Sequence, residues 1–156
     1  MISQQENEAC ELALALSWGY ASLSEVIEWA DTQIVSDRQP SIQLIDLSLS
    51  HNVPDALSQL NAIADSADFW VAATNFLNRF CSLDVLPPFS ALILAEHLYH
   101  LAIRVDSPPH FTRFVSHWDS IDLALAGYSG RPEVQVATFL ADIKSVAESV
   151  NTGPKA

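Results

Sequence analysis

Apolar residues recur at spacings of three and four along nearly the whole chain, and no stretch alternates long enough to suggest a β-strand. Ala9, Leu12, Ala13, Leu16 and Tyr20 line one face of a first helix. It begins near Ser3, where Ser3 and Glu6 have the spacing of a capping box. Ser22 and Glu25 repeat that spacing and open a second helix, with Leu23, Val26, Ile27, Ala30 and Ile34 inside and Glu25, Glu28 and Asp31 outside. Pro40 leads into a short third helix through Ile42, Leu44, Ile45, Leu47 and Leu49. Asn52 and Pro54 suit the entry of a fourth, because the first turn has no intrahelical partner for the N–H that proline lacks.

A fifth helix is predicted over about 68–81, carrying Phe69, Trp70, Ala73, Phe76, Leu77 and Phe80. The sixth, about 90–105, is apolar almost all round and is expected at the centre of the fold. Pro108-Pro109 separate it from a seventh bearing Phe111, Phe114, Val115, Trp118, Ile121 and Leu125. Gly127 to Gly130 form a turn, and Pro132 opens a last helix ending near Val150. Short connections imply antiparallel neighbours. The expected fold is therefore all-α: a single domain over residues 1–150 of seven or eight antiparallel-packed helices, as a bundle or helical array, with 151–156 a frayed tail.

Composition narrows the classes. Charged residues are 17% of the chain, against about 25% in an average one, and hydrophobic residues 49%, which excludes intrinsic disorder. Two cysteines exclude a disulfide scaffold, and four scattered glycines exclude a glycine-rich phosphate loop. No Lys or Arg precedes Arg38, so no secretory signal is expected. Glu96, His97 and His100 interrupt the most apolar stretch, so no membrane span is expected either. A cytoplasmic protein with two reduced thiols is the plain expectation.

Charge adds more. The formal net charge is −12, which repels phosphate backbones and argues against a nucleic-acid partner. Residues 1–70 hold eleven acids and one base, whereas residues 71–156 hold eight acids and six bases. One reading is that the acids keep an apolar protein in solution. The other is an acidic docking face for a basic protein partner, formed by Glu25, Glu28 and Asp31 with Trp29 and Trp18 as anchors.

The most chemical-looking side chains are histidines. Glu96, His97, His100 and Arg104 form one polar stripe at helical spacing, and His110, Arg113 and His117 a second. Imidazoles one turn apart can ligate a metal, so His97, His100, His110 and His117 define an alternative reading as a ligand- or metal-binding protein or enzyme. Nearby arginines and the lack of a His-Glu-x-x-His pattern weigh against a metal. Ser129 in Gly-Tyr-Ser-Gly lacks the nucleophile-elbow pattern, and Asp119 with Asp122 reads as a hydrated helix face. No catalytic residue and no cofactor is assigned. A third reading, favoured by a mean hydropathy of +0.18, is a structural homo-oligomer.

The segment Ser24-Glu25-Val26-Ile27-Glu28-Trp29-Ala30-Asp31, followed by Leu44-Ile45-Asp46-Leu47-Ser48-Leu49-Ser50, resembles a pattern in small uncharacterised helical bacterial proteins. Some of these are regarded as immunity, or toxin-neutralising, proteins. The resemblance covers about residues 12–61. It implies a helical fold and a protein partner, and brings no catalytic residue. Together these readings point to a non-enzymatic acidic binding protein.

Overall fold

The computed structural model describes residues 3–151, and all of its regular structure is helical: eight α-helices and two short 3₁₀ segments among the described residues. They fall into two compact units, Met1–Phe76 and Leu77–Ala156. Of the tail expected to fray, residues 152–156 lie outside the described residues.

The first unit begins with α1 (Gln4–Ser17). Ser3 Oγ accepts the Glu6 N–H at 3.2 Å while the Glu6 carboxylate accepts the Ser3 N–H at 2.7 Å, so the capping box is complete. At the other end Gly19 takes φ +82°, the Gly19 N–H donates to Leu16 O at 3.2 Å, and the Tyr20 N–H donates to Ala15 O at 2.8 Å. That pair of bonds is a Schellman stop, and it needs a residue comfortable in the left-handed region. Helix α2 (Leu23–Ser36) starts on Ser22, α3 (Ile42–Ser48) on Ser41 and α4 (Val53–Ile63) on Asn52, each side chain accepting an N–H of the first turn. Pro54 sits in the first turn of α4, where the missing N–H costs nothing. Helix α5 (Phe69–Leu77) begins where Asp68 accepts the N–H groups of Trp70 and Val71.

Within this unit α1 packs on α4, α2 on α3 and α3 on α4. Small residues allow the helices to approach closely: Ala9, Ala13, Ala30 and Ala56 are buried with Leu12, Leu16, Val26, Leu44, Leu47 and Leu60. Phe76 is fully buried and packs at steep ring angles, 73° and 60°, against Trp18 and Tyr20, with ring centroids 5.4 and 5.6 Å away.

The second unit contains a 3₁₀ turn (Asn78–Phe80), α6 (Pro88–Ala102), a 3₁₀ segment (Pro109–Phe114), α7 (His117–Leu125) and α8 (Pro132–Asn151). Phe111, Phe114 and Phe139 form an edge-to-face ladder at 5.6 and 6.3 Å, and Leu94, Leu98, Ile121 and Ile143 of the same unit are fully buried. Two differences from the sequence expectation concern this unit. The predicted seventh helix is split, because Pro108 is extended, Pro109 lacks an N–H, and the following residues close i→i+3 bonds, such as Phe111 N–H to Pro108 O at 3.0 Å. Helix α6 is also not enclosed on all sides: Ala91, Leu94, Ala95 and Leu98 face the core, while Phe89 is 71% exposed and Ile93 is exposed as well.

Each unit holds one cysteine. Cys10 and Cys81 are unpaired and half-buried, and burial pushes both thiols above their ordinary pKa. No helix among the described residues is long and apolar enough to cross a membrane.

Candidate functional site

The 3.6-residue period of α2 sends Val26 and Ala30 inward and leaves Glu25, Glu28 and Asp31 exposed on the opposite side. Val35 continues that outer row at 87% exposure. The row is tied to α3 by one hydrogen bond, Ser48 Oγ donating to Asp31 Oδ1. Asp31 is thus both an exposed charge and a link between two helices.

Trp29 sits on the side of α2 that faces α1. It is half-buried, and its indole N–H donates to Glu8 Oε2 at 3.0 Å. Glu8 also accepts from Gln4 Nε2 at 2.7 Å, and Gln5 Nε2 donates to Gln33 Oε1 at 3.1 Å along the same seam. The N–H of Trp29 is therefore engaged within the unit, and its ring is what remains to offer a partner. Trp18 is placed elsewhere. It is the C-cap of α1, against Phe76, ten residues beyond Glu8 and so about 15 Å along the helix axis. The structure brings Glu25, Glu28, Asp31 and Trp29 onto one helix and leaves Trp18 at the far end of another.

Several other acids of this unit serve helix starts. Glu6 completes the first capping box, and the bonds it accepts from Ser3 hold its carboxyl below the usual value. Asp55 accepts from Asn52 Nδ2 at 2.9 Å, and Asp68 caps α5. Negative charge at a helix N-terminus also meets the positive end of the helix dipole.

One feature of the site escaped the sequence reading. Helix α3 buries only Leu44 and Leu47, while Ile42, Ile45 and Leu49 are 61%, 37% and 66% exposed. These three stand at i, i+3 and i+7, one apolar row beside the exposed carboxylate of Asp46. The available signal was an apolar residue at five of eight positions from Ile42 to Leu49, more than one buried face can take.

The four histidines occupy separate surroundings. His97 is half-buried, and burial lowers its pKa. His100 is exposed, 3.9 Å from Glu96, with its ring 6.1 Å from that of Trp118. His110 lies in the 3₁₀ segment, where its Nε2 is buried without a hydrogen-bond partner among the described residues and burial lowers its pKa. His117 is buried against Phe139, and its Nε2–H donates to Asp142 Oδ2 at 2.6 Å. No group of three or more His, Cys, Asp or Glu side chains converges to hold a metal ion among the described residues. Arg113 turns to α8 instead, donating to Ser145 Oγ at 2.6 Å. Asp119, Asp122 and Ser129 are exposed.

No protein-family model, curated protein or solved structure matches the chain.

Proposed function

We propose that this chain is a non-enzymatic binding protein that receives a basic protein partner on the outer face of α2, as an immunity protein receives a cationic toxin. The observation that carries the reading is the common exposure of Glu25, Glu28 and Asp31 along one helix, in a unit with eleven acids and only Arg38 as a base. Carboxylates that face water project their field outward, which speeds encounter with a cationic surface. The half-buried ring of Trp29 next to this row supplies flat contact area at little entropic cost. The resemblance of residues 12–61 to small uncharacterised helical bacterial proteins, some of them regarded as toxin-neutralising, agrees with the same chemistry.

The test is affinity capture from the native host with the full chain, followed by direct titration of whatever is recovered. A partner held at about 0.05 M salt is expected to be released at about 0.5 M, where the screening length shrinks to a few ångströms. The triple variant E25K/E28K/D31N reverses the row while Asn still accepts from Ser48, and it should weaken the complex by roughly 100-fold or more. Unchanged affinity in that variant overturns the reading.

A further inference from the structure

We infer that the partner segment this unit receives is a cationic amphipathic helix, seated with its apolar face on Ile42, Ile45 and Leu49 and its basic residues over Glu28, Asp31 and Asp46. The inference rests on the docking role proposed for α2 and adds the chemistry of what docks.

Ile42, Ile45 and Leu49 form a row about 10 Å long, the rise of two helical turns. A row at i, i+3 and i+7 is the ridge that a second helix straddles, and it is how helices are held in apolar grooves. Leu44 and Leu47 already hold α3 to its own unit, and the outer row keeps 37–66% of its surface in water. Carboxylates flank it. Asp46 is one turn beyond Ile42 on α3, and the bond from Ser48 to Asp31 draws the acidic row of α2 alongside.

Charge then selects the occupant. A wholly apolar partner would cover these carboxylates and leave them without water or counter-charge, which is costly. A second copy of the chain would bring one acidic row against another. An anionic lipid surface or a nucleic acid is repelled outright. A helix with Leu- or Ile-type side chains on one stripe and Lys or Arg on its borders covers the row and satisfies the acids together.

The experiment titrates the full chain with a fluorescent synthetic peptide of about 18 residues, five helical turns, built of Leu and Lys at amphipathic spacing. A shuffled peptide of the same composition is the control. The patterned peptide is expected to bind at least ~10-fold more tightly than the shuffled one, since only it aligns its apolar side chains with the row. The I42S/L49S variant should lose ~10-fold for the patterned peptide, keep the salt dependence and leave the weak shuffled binding as it was. Both positions are exposed, so its melting temperature should match that of the parent. D46K, which touches no apolar side chain, should weaken the patterned peptide several-fold and covers the case in which the double variant folds poorly.

Equal binding of the two peptides, or a patterned affinity unmoved by I42S/L49S and D46K, overturns this inference. If E25K/E28K/D31N still abolishes that binding, the acidic docking role stands without the apolar row. Failure of both peptides to bind the parent chain overturns both readings. Sedimentation of the chain alone supplies the remaining outcome: a dimer that L49S dissolves assigns the row to a second copy and overturns the cationic helix.

Discussion

The two units are built from the same kind of helix but treat charge in opposite ways. The first holds eleven acids and one base; it uses carboxylates at its helix starts, at Glu6, Asp55 and Asp68, ties helices through neutral donors to Glu8 and Asp31, and leaves others facing water. The second holds eight acids and six bases and joins several across its elements. His117 binds Asp142 and Lys144 reaches Asp84 at 3.2 Å, while within one loop Arg104 lies 3.5 Å from Asp106. Acids that are matched locally contribute to holding a structure together. A local excess of acids over bases contributes little to the fold and much to the field outside it, and that excess lies in the first unit.

The largest expected effect comes from breaking the inner pair of the second unit. Asp142→Ala leaves the buried imidazole of His117 without its acceptor and should cost about 2 kcal/mol in chemical denaturation. Asp46→Ala in the first unit should stay within about 0.5 kcal/mol, as an exposed charge removed from a solvated face. Similar losses for the two would mean that both units hold their acids alike.

Acid should separate the units next. Burial lowers His97 and His110 in the folded second unit, so the unfolded chain takes up their protons first. The stability these residues supply is complete above about pH 6.5 and is lost as pH falls through their lower folded values. Hydrogen exchange compared at about pH 7.5 and 5.5, after correction for intrinsic rates, should show protection falling in the second unit, and H97Q/H110Q should flatten that fall. In the first unit the depressed carboxyl of Glu6 puts the corresponding loss lower, beginning at the ordinary carboxylate value and completed as pH falls through its lower folded value.

Salt should give the smallest effect. Raising it from about 0.05 to 0.5 M screens repulsion among the acids of the first unit and should slow amide exchange there by roughly two- to threefold, with the second unit scarcely changed. An equal response would mean that the acids of the first unit do not repel one another appreciably.

What could be read from the sequence was what neighbouring residues decide. Ser3 with Glu6, Asn52 with Pro54, and Pro132 mark helix starts through capping side chains or a missing N–H within one turn, and the structure places α1, α4 and α8 there. The outward row Glu25, Glu28 and Asp31 was legible for the same reason, because α2 has one apolar face and one polar face. Features set by distant residues were hidden. The donation from Trp29 to Glu8 spans 21 positions and the bond between His117 and Asp142 spans 25, and no spacing rule connects them. Helix α3 was ambiguous because apolar residues on two sides cannot say which side meets the core. The stripe of His110, Arg113 and His117 assumed one continuous α-helix, and the proline pair turned its first half into a 3₁₀ segment with a different period.

The placement of sulfur has a practical consequence. With one half-buried thiol in each unit and no disulfide between them, Cys10 and Cys81 can report breathing motions separately. A maleimide or disulfide probe reacts with the thiolate, which burial suppresses in both, so alkylation at neutral pH should proceed mainly through transient opening. Mass spectrometry of the two cysteine-bearing peptides then times each opening in one unmodified sample, with no engineered label.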